Sequence, residues 1–281
     1  MKTAIVSLSA QGAQVASRLA PVLSDAQLFV HASAQWTGPA TRFERITELA
    51  GDLFKQCRAI VFVAPCGAVV RAIAPHLRHK TTDPAVVVLD VGARHVVSLL
   101  SGHEGGANDL AFTVANALSA EPVVTTTTEA VKDLIVGVGC RRHCAAERIV
   151  EAITAALAQA AVPLERVRML ATADLKANEA GLWDAARSLR LPLRLISSDE
   201  IRATRRSFAR TPLAARKVNL PAVAEPCALL AGRRTTLLLH KQIYPSVTVA
   251  VAQESLPWSE SAPAVISTAP AEPSKPSPRA R

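Results

Sequence analysis

Short apolar runs alternate along the chain with longer stretches whose apolar residues return every three or four positions. Residues 3–8, 59–63, 85–89 and 96–99 are strand-length and mostly β-branched or small. Between them, Val15, Leu19 and Val22 predict one helix, and Ile46, Leu49, Leu53 and Phe54 a second with a single buried stripe. Pro65, just past a strand, is placed to open a helix carrying Val69, Val70 and Ile73. Leu110, Ala111, Val114, Ala117 and Leu118 predict another. A second series starts at Leu134-Ile135-Val136-Gly137-Val138-Gly139 and continues through a helix marked by Ile149, Ile153, Ala156 and Leu157. A strand at 167–170, a helix around Leu182, Ala186 and Leu189, and a strand at 193–196 follow, and 235–239 and 247–251 close the series as a candidate pair. The alternation predicts an α/β chain of two modules with mainly parallel sheets, over 1–130 and 134–253. No internal repeat accompanies it.

Composition adds limits. From 257 to 281, six of 25 residues are proline amid serine and alanine, which predicts a disordered tail. No apolar run approaches the roughly 20 residues that cross a bilayer. Polar Ser7, Ser9 and Gln11 interrupt the N-terminal apolar run, so it reads as a core strand rather than a signal peptide. Five cysteines, an odd number in a chain long enough to do without staples, argue against a secreted disulfide framework. The expected compartment is the cytoplasm.

Charge is uneven. Residues 1–133 hold 11 Lys or Arg against 11 Asp or Glu, whereas the remainder holds 21 against 12 and so supplies the whole net charge of +9. A basic second half favours anionic partners. With one Tyr and six Phe, none interleaved with arginine, a stacking platform for nucleic acid is poorly supported. The stretch 202–217, with six basic residues and no acid, is either a solvated connection or a substrate-facing flap.

Three polar stretches at expected strand ends carry candidate chemistry. Ser101-Gly102-His103-Glu104-Gly105-Gly106-Ala107-Asn108-Asp109 lies between a strand and a helix. Its glycines permit close backbone approach, and free N–H groups at the helix start suit an anion or oxyanion. His103 exchanges protons near neutrality, with Glu104 or Asp109 to orient it. The plainer reading is a tight turn in which Asn108 or Asp109 caps the helix. Upstream, Ala64-Pro65-Cys66-Gly67-Ala68 is a second such helix start or a simple junction.

Gly137-Val138-Gly139-Cys140-Arg141-Arg142 again sets glycines at an expected strand end, with two guanidiniums suited to carboxylates. Cys140, His143 and Cys144 lack a second ligand pair, so incidental cysteines outweigh a zinc site. In the third stretch, 172–179, Asp174 and Lys176 share a face if extended, Lys176 is placed to anchor a carboxylate or stabilise developing negative charge, and Glu179 reads as an ordinary first-turn helix acid. His240-Lys241-Gln242 adds a basic edge.

Taken in order, 100–111, 137–142 and 171–179, with Lys241-Gln242 and 247–250, resemble the cobalt-precorrin-5A hydrolase family of anaerobic cobalamin biosynthesis, over roughly residues 1–253. The family's frequent middle segment is missing here, because 125–133 runs almost directly into Gly137. The second module also resembles a small stand-alone protein of aerobic cobalamin biosynthesis. The resemblance implies opening of the δ-lactone of cobalt-precorrin-5A and release of acetaldehyde to give cobalt-precorrin-5B. It implies an anionic tetrapyrrole substrate that brings its own cobalt, no cofactor or metal held by the protein, no nucleic-acid or membrane partner, and contact with neighbouring enzymes of the pathway. On this reading His103, Glu104, Asp109 and Asp174 are the catalytic candidates. Ser101, Gly102, Gly105, Gly106, Asn108, Arg141, Arg142, Lys176 and Lys241 are the substrate-binding candidates. His103 would direct water onto the lactone carbonyl, amides near Gly105 and Gly106 would receive the oxyanion, and Arg141, Arg142 and Lys176 would grip peripheral carboxylates or stabilise the second, fragment-releasing step, all in one shared cleft. A non-catalytic tetrapyrrole-binding or transfer protein is the competing reading.

Overall fold

The computed structural model describes residues 2–210, 216 and 218–258. Its first half builds a seven-stranded sheet from β1 (Thr3–Ser7), β2 (Ala26–His31), β3 (Thr41–Phe43), β4 (Ala59–Val63), β5 (Ala85–Leu89), β6 (His95–Leu100) and β7 (Glu121–Val123). The strand order is β3-β2-β1-β4-β5-β6-β7. Helices α1 (Ala10–Leu19) and α4 (Ala107–Leu118) cover one face, packing on Ile5, Val61 and Val87. Helices α2 (Ile46–Gln56) and α3 (Cys66–Ile73) cover the other, packing on Ala4, Val6, Ile60 and Phe62. Both faces of β1, β4 and β5 are covered, which is why these strands read as unbroken apolar runs.

A short helix α5 (Thr127–Ala130) leads into the second sheet, formed by β8 (Leu134–Cys140), β9 (Val167–Ala173), β10 (Leu193–Ile196), β11 (Thr235–Tyr244) and β12 (Val247–Glu254). Its order is β10-β9-β8-β12-β11. The first two pairings are parallel and the last two antiparallel, so 235–239 and 247–251 do pair. Leu134, Val136 and Val138 pack against α6 (Ala146–Gln159) and α7 (Ala180–Leu189). The opposite face packs on α9 (Ala224–Leu230), which follows the short α8 (Ser198–Ala203). The molecule is thus a two-domain α/β protein with mostly parallel sheets.

Several expectations are corrected. Strands β2, β3 and β7 are additional; they are short or carry polar residues such as Gln27 and His31, so no apolar run marks them. Val22 lies beyond the end of α1 and is half exposed. Gly137 and Gly139 are interior to β8 rather than at its end. A Cβ on Gly137 would meet the Ala224 carbonyl oxygen at 1.9 Å, so glycine there lets α9 lie against the sheet. The direction of β6 matters most. It runs antiparallel to β5, with Leu100 beside Val86, so the loop after β6 emerges at the amino-terminal edge of β1, β4 and β5. The Pro65-Cys66 junction lies at the opposite edge.

The domains meet through side chains that finish an exposed sheet edge. Strand β10 is terminal in its sheet, and Asn116 of α4 donates to the Leu193 carbonyl at 2.7 Å and accepts from the Leu195 amide at 2.9 Å. Arg194, buried on the same strand, reaches Glu121 at 3.6 Å. Phe112 of α4 joins the core of the second domain beside Ile135 and Met169. Within the basic stretch, Arg206 donates to the Thr235 carbonyl and hydroxyl at 2.7 and 2.8 Å, so this part is docked. Residues 211–215, 217 and 259–281, which include most of the expected tail, lie outside the described residues. Among the described residues, no helix is long and apolar enough to cross a membrane.

Candidate active site

A cleft of about 870 Å³ opens between the two domains. One wall comes from the loop after β6, from α4 and from the segment after β7, and includes Gly102, His103, Asn108, Asp109 and Glu129. The other comes from the start of β9, the last turns of α7, the approach to β10, and the turn before β11. Phe112, Val124, Met169, Trp183, Leu191 and Leu193 give the interior an apolar lining. About half of the lining residues are polar or charged, so the cleft joins apolar surface to many polar groups.

The 101–109 loop is built on its own backbone. The Ser101 carbonyl accepts from the amides of Gly105 and Ala107 at 3.1 and 3.2 Å, and the Gly102 carbonyl from Asn108 at 3.0 Å. Gly106 closes the turn at φ +86°, in the left-handed region, and stands as the N-cap of α4. Neither Asn108 nor Asp109 caps the helix, contrary to the plainer reading of this loop. Asn108 is instead a buried strut, its amide oxygen accepting from Ser98 at 2.8 Å and its nitrogen donating to Thr126 at 3.0 Å. Ser101 is also buried and donates to the Asp83 carbonyl. The Gly105 amide is therefore spent within the loop, which removes it as an oxyanion donor. The Gly106 amide has no acceptor among the described residues.

His103 is exposed on the cleft wall, where Asp109 also stands. Partial desolvation pushes the Asp109 carboxyl above its ordinary value; nearby Glu129 adds to this and His103 opposes it. Glu104 does not line the cleft. Its carboxylate pairs with Lys80 and is held below its usual value chiefly by that hydrogen bond, so of the two acids expected to orient His103, Asp109 is the one that shares the cleft with it.

The remaining candidates do not converge on this cleft. Arg141 and Arg142 follow the carboxyl end of β8, and Asp174 and Lys176 follow that of β9. The cleft touches β9 at Arg168 and Met169, near its other end. The seven residues of β9 span roughly 20 Å at about 3.3 Å per residue, which separates the two groups. Lys176 is buried and held by Glu179 at 3.2 Å, and Glu179 also accepts the His143 amide at 2.9 Å. This lysine is a structural tie rather than a free anchor, and Glu179 is its counter-charge rather than an ordinary first-turn acid. Asp174 accepts from Ser198 and begins a 3-10 turn, so it does not share an extended face with Lys176. Lys241 lies on β11, where its amide donates to the buried Glu225 at 2.8 Å. Burial pushes the Cys140 thiol up to about 11, and no metal-holding cluster of His, Cys, Asp or Glu occurs among the described residues.

The sequence reading missed the second wall: Arg187, Arg190 and Arg233, with Trp183. Arg187 and Arg190 sit three apart near the end of an amphipathic helix, a readable basic face, but no glycine motif drew attention to it.

Comparison with known proteins covers both domains. Residues 48–129 match the family model "Cobalamin synthesis G N-terminal", and residues 134–252 match "Cobalamin synthesis G C-terminus". A cobalt-precorrin-5A hydrolase of Priestia megaterium is 36% identical over 136 residues, covering 47% of this chain and 36% of that protein. One of Salmonella typhimurium is 48% identical over 80 residues, covering 28% and 23%. The crystal structure of cobalamin biosynthesis protein chiG from Agrobacterium tumefaciens is 33% identical, covers 43% of this chain and 98% of that one, and superposes with a TM-score of 0.35. The matched stretches span about a third and a quarter of the two hydrolases' own lengths. With both halves matched in order, the chain belongs to the cobalamin synthesis G, or cobalt-precorrin-5A hydrolase, family.

Proposed function

We propose that this chain hydrolyses cobalt-precorrin-5A in the cleft between its domains, opening the δ-lactone and releasing acetaldehyde to give cobalt-precorrin-5B. The observation that carries the reading is the placement of His103 and Asp109 together on one wall of a cleft large enough for a small-molecule ligand. Naming of the curated relatives as cobalt-precorrin-5A hydrolases supplies the substrate. His103 takes a proton from the water that attacks the lactone carbonyl. Asp109, on the same wall, is placed to hold a proton at the departing ring oxygen. The freed carbinol then gives up its O–H proton as its carbon–carbon bond to the macrocycle breaks, which releases acetaldehyde and leaves the bonding pair, and then a proton, on the ring carbon. Gly106 does not line the cleft, whereas Gly102 and His103 do, and their amides, which have no acceptor among the described residues, are the candidate donors to the oxyanion; one such donor contributes about 2.7–4 kcal/mol to a transition state. The protein supplies no metal in this scheme, because cobalt arrives inside the macrocycle.

The test is incubation of the purified chain with cobalt-precorrin-5A and simultaneous detection of acetaldehyde and the corrinoid product. Both should form, and H103A should lower the rate by about a hundredfold or more. Near-normal turnover by H103A would remove the base assignment. Tight macrocycle binding by the unaltered chain without acetaldehyde would replace the hydrolase with a carrier.

A further inference from the structure

The cations on the second wall of the cleft are unequal. Arg168 is engaged by Glu254 at 3.1 Å, and Arg187 by Asp184. Arg190 and Arg233 line the same cleft, are exposed, and have no side-chain acceptor among the described residues. They come from different elements, Arg190 from the C-cap of α7 and Arg233 from the turn between α9 and β11. A cation at a helix C-terminus is expected from the helix dipole, which accounts for Arg190 alone. It does not account for a second unpaired guanidinium reaching the same cavity from another element.

On the facing wall most acids already have partners. Glu121 faces Arg194 and Glu129 binds Lys132 at 3.0 Å, which leaves Asp109 beside His103. The cleft is therefore polarised: two uncommitted guanidiniums on the second-domain wall, and the proton-handling pair on the first-domain wall. Phe112, Val124 and Trp183 provide apolar surface within the same cavity. A ligand suited to this arrangement has an apolar body with carboxylates on its rim, since guanidinium forks match carboxylates in two-point hydrogen bonds.

We infer that Arg190 and Arg233 are the carboxylate-binding residues of the cleft. They orient a polycarboxylated macrocycle so that its reacting edge faces His103 and Asp109. This assignment rests on the reading of the cleft as the hydrolase site. It gives the two domains separate tasks, anchoring on the second and proton transfer on the first.

The test is a binding measurement independent of turnover. Tryptophan fluorescence is followed during titration with dicyanocobyrinic acid, a corrinoid with free peripheral carboxylates, and with dicyanocobinamide, in which they are amidated. The acid should bind, the amide should bind at least about tenfold more weakly, and R190E/R233E should weaken the acid by at least about tenfold. The neutral pair R190Q/R233Q, which is less disturbing to the fold, should weaken it in the same direction. The charge-matched control R18E/R71E, on α1 and α3, should leave it unchanged. Equal binding of the two corrinoids, unaltered binding by both arginine pairs, or equal loss in the control would overturn the assignment. Acetaldehyde assays keep the two readings apart. Turnover with arginine-independent binding and KM defeats this inference alone. Arginine-dependent binding without turnover defeats the hydrolase and leaves the anchoring residues in place.

Discussion

Glu225 shows how a single acid can tie the second domain together. It is almost wholly buried and accepts the amides of Ala209 at 2.6 Å and Lys241 at 2.8 Å, with His240 at 3.3 Å. Burial alone would push its carboxyl up, but the amides of Lys241 and Ala209, joined by His240, outweigh burial and hold it below its ordinary value. For an acid depressed in the folded state, the associated stability is present above the unfolded value, about pH 4.3, and is lost as pH falls through the lower folded value. E225Q should therefore flatten the fall in stability below about pH 4, measured by denaturant unfolding at several pH values. An unchanged slope would contradict this. E225A, which strips the amides of Ala209 and Lys241 of their shared charged acceptor, should cost about 2 kcal/mol. The same scale explains a failure of the sequence reading. Lys176 looked like an anchor because a lysine in a polar loop is normally solvated, and no linear pattern shows that Glu179 closes over it within a buried turn.

At the scale of elements, strand positions were legible wherever both faces of a strand are covered. Runs such as 59–63 and 85–89 have no other place to go than a doubly covered sheet. Strand direction was not legible. Apolar periodicity is the same read either way, so nothing local showed that β6 turns back against β5. That reversal carries the glycine loop to the edge facing the second domain, away from the carboxyl edge where α/β ligands usually bind. The loop's importance was nonetheless visible from its glycines, and Gly106 shows why. Its φ of +86° disfavours any side chain, so G106A should lower stability by about 1 kcal/mol even though nothing lies within 4 Å of its would-be Cβ. Thermal or chemical unfolding checks this, and an unchanged midpoint would show that the turn relaxes.

For the whole molecule, what remained hidden was the relation between the domains. Each half announced its strands and helices, but the cleft depends on contacts 77 and 79 residues apart, where Asn116 completes the edge of β10. The contact of Arg194 with Glu121 belongs to the same seam. Burial lowers the Arg194 pKa and Glu121 opposes that shift. E121A should cost about 2 kcal/mol, less than the roughly 3–5 kcal/mol for breaking a fully buried pair, because Glu121 is 43% exposed. The loss should appear together with weaker domain coupling, read as faster amide exchange along β10; unchanged exchange there would show that Asn116 suffices. On the proposed assignment one wall handles protons and the other grips the ligand, so the site requires this seam to hold.

The most direct measurement is hydrogen–deuterium exchange of the whole chain with and without cobalt-precorrin-5A, resolved by peptide. The account predicts slowed exchange in 101–109 and in 183–193, the two walls of the interdomain cleft. Protection at 140–143 and 174–179 with no change in those walls would place the ligand at the far edge of the second sheet and contradict it.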